Sequence, residues 1–325
     1  MRAVRCEQYG PPDSVVVAEV DDPVAGDGQV VVDVAAAAAN FPDVLVVADR
    51  YQVSIPVPFT VGSEFAGTVT AVGLGVEGVA LGDRVMGSCL FGAFADRVVV
   101  SAGALQPVDP AVDLVTAAAS GVAHRTAFHA LRSFARVRPD EWVVVLGAAG
   151  GVGLAAVELA TLLGARVIAA ASTPEKLALC VERGAVAGVD YTTEDLKVRI
   201  KALTAGGADV VIDPVGGPAA EASLRALAWG GRFVTVGFAS GEIPRIPLNL
   251  VLLKGVVVTG FTMGGFAKHQ PDDFTRDTAE LTELSRSGRF TPHISARYPL
   301  EGAGQALLDL AERRALGKVL VVPSD

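Results

Sequence analysis

Val143-Val144-Val145-Leu146-Gly147-Ala148-Ala149-Gly150-Gly151-Val152-Gly153 decides the fold of this 325-residue chain. The apolar, mostly β-branched run before Gly147 is too short for a helix and is bounded by turn residues, so it reads as a buried strand. From Val152 the pattern changes to Leu154-Ala155-Ala156-Val157-Glu158-Leu159-Ala160, good helix formers, with Gly164 where a C-terminal cap falls. A glycine-rich turn between strand and helix presents backbone N–H groups and the positive helix end to a pyrophosphate. The usual fingerprint has Gly where this chain has Ala148. Turns of this kind also arise from packing alone, so the junction by itself leaves both readings open.

Arg166-Val167-Ile168-Ala169-Ala170-Ala171-Ser172 reads as a second strand after that helix. An NAD site carries an Asp or Glu at its end to hold the ribose hydroxyls. Here no acid lies between Val167 and Pro174; the strand ends in Ser172, with Lys176 one helical turn beyond. Hydroxyls and a cation suit an adenosine 2′-phosphate, which a carboxylate would repel, so NADPH is the expected coenzyme. Ser172-Thr173-Pro174-Glu175 is also a helix start in which a hydroxyl caps. The two roles are compatible, because a cap does not use Lys176.

Short apolar strands continue at Ala187 to Tyr191, Ala208 to Asp213, Gly231 to Gly237 and Val256 to Phe261, with helices at Glu194 to Leu203 and after Gly217. Alternating buried strands and helices specify a parallel sheet covered on both faces. We therefore expect an α/β fold whose doubly wound nucleotide domain spans 124–260. The N-terminal third differs: Gln29 to Ala39, Gly67 to Gly73, Asp83 to Gly87 and Ala95 to Val100 read as strands without intervening helices, a β-rich domain. The C-terminal tail carries amphipathic helices at Asp277 to Ser287 and Gly302 to Arg313 and a last strand, Lys318 to Val322. It is assigned to the β-rich domain, giving 1–123 with 261–325.

This order, with Asn40-Phe41-Pro42-Asp43, Gly62-Ser63-Glu64-Phe65-Ala66-Gly67, Gly82-Asp83-Arg84-Val85, Ala148 to Gly153 and Asp190-Tyr191, resembles the zinc-free quinone oxidoreductase family of the medium-chain dehydrogenase/reductase superfamily. The resemblance covers essentially the whole chain. It implies a Rossmann domain beside a GroES-like catalytic domain, and in that family Ala at position 148 is ordinary. It also implies coenzyme contacts from Thr126, Ala149, Gly150, Gly151, Val152, Ser172, Lys176, Tyr191, Val215, Gly237 and Phe238. On the acceptor side it implies Asn40, Tyr51 and Asp43. Asn40 would donate an amide hydrogen bond to the acceptor oxygen, and Tyr51 either donates a proton or packs against a strand. Asp43 and Glu64 are either acids or loop fasteners through backbone N–H groups, and Thr126 is either a nicotinamide neighbour or an ordinary helix Thr.

Zinc-dependent relatives in the superfamily place a Cys where this chain has Asn40 and a His where it has Ser63. Cys6, Cys89 and Cys180 are far apart, and the four His form no i, i+4 pair, so no metal is expected. Hydride delivered to a simple ketone makes a localised alkoxide that needs a Lewis acid or proton donor. Quinones and enones spread that charge over a conjugated system. The expected activity is NADPH-dependent reduction of quinones or α,β-unsaturated carbonyls; the alternatives are an enoyl-thioester or alkenal reductase and a non-enzymatic NADPH-binding protein.

A net charge of −9 without a basic run disfavours nucleic acid. Asp33, Glu158 and Lys254 interrupt the longest apolar stretches, so no membrane span is read. Met1-Arg2-Ala3-Val4-Arg5-Cys6-Glu7 leads into no apolar signal core, and the expected location is the cytoplasm. The uncharged strand at Val256 to Phe261 invites pairing with its symmetry mate, so a homodimer is expected.

Overall fold

Six strands in the middle of the chain form one sheet in the computed structural model, which describes residues 1–323. From edge to edge they are Ala187–Asp190, Arg166–Ala171, Trp142–Leu146, Ala208–Asp213, Leu227–Thr235 and Val257–Gly260. Every neighbouring pair is parallel. Parallel strands need crossover helices, which cover both faces; hence Val143 to Leu146, Val167, Ile168 and Val210 to Ile212 are all fully buried. The order places the first and fourth strands side by side where the winding reverses, and open sheets of this class bind ligands beyond the strand ends at that point.

The chain divides into Met1–Val122 together with the residues from Thr291 on, and Ala123–Phe290. Residues 261–290, expected with the β-rich half, therefore group with the nucleotide half. The reason is a buried polar network that the amphipathic pattern did not reveal. Asp277, on the helix Pro271–Arg286, accepts from Ser133 Oγ at 2.6 Å and lies 3.2 Å from His129 Nδ1. Burial works to raise the Asp277 carboxyl, but His129, Ser133 and Arg276 outweigh it and hold it below the usual carboxylate range. Phe266, on the helix Met263–His269, packs edge-on to His129 and Phe134.

In the other half a seven-stranded mixed sheet runs Ile294–Pro299, Lys318–Val322, Gln29–Ala39, Glu64–Val72, Arg84–Ser88, Leu105–Pro107, with Arg97–Ser101 also on Gln29–Ala39. A three-stranded sheet adds Val16–Glu19, Arg2–Cys6 and Phe59–Thr60. The final strand is antiparallel to Gln29–Ala39 with Val319 opposite Ala39, which brings Lys318 to the residue after that strand, Asn40. This register builds the polar cluster described below.

Candidate active site

Apart from Thr126, the coenzyme candidates follow the C-terminal ends of the parallel strands. Gly147 has φ +55°, and a Cβ on it would meet Val215 Cγ2 at 2.6 Å. A Cβ on Gly153 would fall 2.2 Å from the Gly147 carbonyl oxygen, so the helix Gly151–Leu162 can start against the strand only with glycine there. Ala148 is tolerated because its methyl is buried while its N–H donates to the Ala170 carbonyl at 3.1 Å. Gly150 caps the helix without a side-chain hydrogen bond, leaving the first-turn N–H groups of Gly151 and Val152 to a ligand. Ala149 is buried behind them.

Ser172 follows the strand Arg166–Ala171, and Lys176 Nζ donates to its hydroxyl at 3.2 Å. The neighbouring Thr173 caps the next helix by accepting from the Lys176 N–H at 3.3 Å. Cap and cation thus use different atoms. Tyr191 lies on the adjacent strand end, its N–H on the Ala171 carbonyl at 3.2 Å. The nearby Asp190 carboxylate is taken up by the Thr192 N–H and hydroxyl, at 2.9 and 2.6 Å, which hold it below its ordinary range. Beyond the fourth strand, Gly237 donates to the Asp213 carbonyl at 3.3 Å, and Phe238 is partly exposed beside Gly216. Thr126 is half-buried on the helix Val122–His129.

Sequence reasoning missed Asp213. One of its oxygens accepts from the Val215 and Gly216 N–H groups, both at 2.8 Å, fixing the loop that carries Val215. The other is buried without a protein partner among the described residues, and burial raises the carboxyl despite those two bonds. An Asp followed by Pro-Val-Gly-Gly was a legible turn signal.

The acceptor-side candidates belong to the other half. Asn40 is buried at the start of the helix Phe41–Val47. Its Nδ2 donates to Glu64 Oε2 at 2.9 Å and to the Ala38 carbonyl at 3.1 Å. Its Oδ1 accepts from Lys318 Nζ at 2.6 Å, and the same ammonium donates to Glu64 Oε2 at 2.9 Å. Glu64 Oε1 accepts from the Val122 N–H at 2.6 Å. Both amide hydrogens of Asn40 are therefore engaged within the protein, and an acceptor oxygen would have to share or displace one. Asp43 accepts from the Asn40 N–H at 2.8 Å; burial pushes its carboxyl up to about 6 against the pull of Ser63, the Asn40 N–H and Lys318. Tyr51 is half-buried against the β-domain core, and its hydroxyl has no protein partner among the described residues. Lys318 was not anticipated: a Lys opening an apolar strand reads as a stem reaching solvent.

Among the described residues, no three His, Cys, Asp or Glu side chains converge as a metal cluster would require. The donor set itself argues the same way. An ammonium within bonding distance of Asn40 Oδ1 and Glu64 Oε2 occupies the space, and supplies the charge, that a cation between those oxygens would need. No helix among the described residues is long and apolar enough to cross a membrane.

Two family models match the chain: the alcohol dehydrogenase GroES-like domain over residues 26–110 and the zinc-binding dehydrogenase model over residues 151–283. The quinone oxidoreductase-like protein 2 homolog of Nematostella vectensis is 37% identical over 324 residues, covering 98% of this chain and 88% of that protein. Mouse quinone oxidoreductase-like protein 2 is 38% identical over 322 residues, covering 98% and 91% respectively. The crystal structure of Escherichia coli quinone oxidoreductase complexed with NADPH superposes with a TM-score of 0.92 at 29% identity, covering 99% of this chain and 100% of the other.

Proposed function

This chain belongs to the zinc-independent, quinone-oxidoreductase-like branch of the medium-chain dehydrogenase/reductase superfamily, and on that premise we propose that it reduces quinones or related α,β-unsaturated carbonyls with NADPH. The observation that carries this reading is the pairing of Lys176 Nζ with Ser172 Oγ at the end of the second strand. Beside it stand an uncapped helix N-terminus and glycines where a Cβ would collide. The residues present fit NADPH: the Gly151 and Val152 N–H groups, at the helix start that Gly150 caps, would hold the pyrophosphate, and Ser172, Lys176 and Tyr191 the 2′-phosphate. Bound there, the coenzyme supplies a hydride.

A hydride carries two electrons and one proton to the acceptor, and a second proton completes the quinol or the saturated carbonyl. In a conjugated acceptor the developing charge is spread out, so neutral donors suffice where a simple ketone would call for a Lewis acid. Tyr51, whose hydroxyl lacks a protein partner among the described residues, is the candidate proton donor. Asn40, whose backbone N–H donates to Asp43, is able to donate to the acceptor only by sharing a hydrogen.

We also assign a homodimer through the edge strand Val257–Gly260, where Val257 and Val258 are 54% and 44% exposed and Leu248 and Leu252 stand out nearby in sequence. Three unpaired cysteines suit a reducing compartment such as the cytoplasm. NADPH oxidation across a panel of quinones, enals and enoyl thioesters tests the activity. Quinone-dependent turnover supports it; turnover on enoyl thioesters alone would move the assignment to a double-bond reductase, and NADPH binding without turnover to a non-enzymatic role.

A further inference from the structure

Lys318 is a cation turned inward, 3% exposed, at the start of a strand that continues Val319, Leu320, Val321 into the core. Burying an ammonium costs several kcal/mol unless pairing and hydrogen bonds offset it. Here they do, through Asn40 Oδ1 at 2.6 Å and Glu64 Oε2 at 2.9 Å. Apolar packing alone would be served as well by a methionine, so the ammonium needs a reason of its own.

The reason lies in the Asn40 carboxamide. Its two ends are nearly the same size, so partners decide which way it points. Lys318 can only donate; the Ala38 carbonyl and the Glu64 carboxylate can only accept. Turning the amide over would set its NH2 against the ammonium and its oxygen against Glu64 Oε2 and the Ala38 carbonyl, exchanging three hydrogen bonds for three repulsions. A hydrogen bond to Oδ1 also polarises the amide and strengthens its N–H groups as donors.

We propose that Lys318 is a positioning residue for the acceptor half of the reaction, its ammonium fixing the N–H end of the Asn40 carboxamide as the donor end and polarising it. The proposal rests on the reductase reading above. The hydrogen shared with the acceptor oxygen is the one on the Ala38 carbonyl, the longer of the two Nδ2 bonds. Lys318 touches neither coenzyme nor acceptor and acts through Asn40.

The test compares Lys318→Met and Lys318→Arg in steady-state quinone reduction, with KM taken separately for NADPH and for the quinone. Lys318→Met is expected to lower kcat by roughly tenfold or more while leaving the KM for NADPH near the wild-type value. Lys318→Arg, which keeps a charged donor, is expected to restore most of kcat. A folded Lys318→Met with wild-type kcat and only a lower Tm overturns the proposal. If Lys318→Met does not fold, the wild type decides. Its two asparagines, Asn40 and Asn249, give two side-chain amide signals in protein labelled with 15N-asparagine. Saturating hydroquinone with NADP+ should shift the Asn40 signal and spare Asn249; an unmoved Asn40 signal with product bound overturns the proposal. Wild-type protein without turnover on any acceptor refutes the reductase reading and this proposal with it. Wild-type turnover with an indifferent Lys318→Met refutes this proposal alone.

Discussion

Replacing Lys176 by Ala should separate the two nicotinamide coenzymes. Lys176 Nζ lies 3.2 Å from Ser172 Oγ, and both residues are half-buried at the end of the Arg166–Ala171 strand, with Tyr191 on the adjacent strand end. A charge-assisted hydrogen bond to a phosphate contributes about 1.5–3 kcal/mol, and each ~1.4 kcal/mol is tenfold in affinity. Half exposure favours the lower end of that range through solvent screening, so Lys176→Ala should weaken NADPH binding by about tenfold. The helix should survive, because its cap is Thr173 Oγ1 on the Lys176 backbone N–H, which the substitution keeps. NADH lacks the phosphate, and its affinity should stay within about twofold of wild type. The assay is titration of coenzyme fluorescence against wild type, Lys176→Ala and Lys176→Arg, at low and at high salt. The gap between the coenzymes should narrow as salt rises and reopen in Lys176→Arg. Equal wild-type affinities for NADPH and NADH, or a loss shared by both in Lys176→Ala, would refute the assigned phosphate pocket.

Three further outcomes follow from the geometry. Because the Asp43 carboxyl is raised from 3.8 to about 6, the stability it contributes is fully present below pH 3.8 and is lost as pH rises through about 6. Asp43→Asn should therefore gain up to about 3 kcal/mol relative to wild type between about pH 4 and pH 7, by denaturant melts; a pH-independent difference contradicts this. Asp277→Ala strips the shared acceptor from His129, Ser133 and Arg276, and should cost roughly 3–5 kcal/mol of unfolding free energy; a loss under about 1 kcal/mol would mean the network is slack. Val258→Asp puts a charge on the exposed edge strand and should yield monomers by light scattering at micromolar concentration. Unchanged mass in that variant, or a monomeric wild type, would rule out this interface.

The nucleotide half was legible because its strands are buried on both faces, so each appears as an unbroken apolar run between turn residues. Ser172 and Lys176 were legible as a pair because their spacing is a single helical turn. What escaped notice depends on contacts distant in sequence. Asp277 looks like the solvent face of an amphipathic helix, and only the partners His129 and Ser133, nearly 150 residues earlier, draw it inside. The helix Met263–His269 contains Gly264 and Gly265, poor helix formers; Thr262 caps it by accepting from the Gly265 N–H at 3.1 Å, and buried Phe266 anchors it. The strand Ile294–Pro299 alternates half-buried and exposed residues and ends in proline, which hides it. Asn40 was singled out by resemblance, yet nothing local showed that Glu64 and the Ala38 carbonyl engage its amide hydrogens, or that Lys318, 278 residues away, holds its oxygen.

Metal-free hydride transfer from NADPH is tested by quinone-dependent NADPH oxidation with chelator-dialysed protein, zinc being measured in the same sample. Full turnover at far below stoichiometric zinc is expected, since Lys318 supplies the cation between Asn40 and Glu64. Turnover that falls with the zinc content and returns when zinc is restored would contradict it.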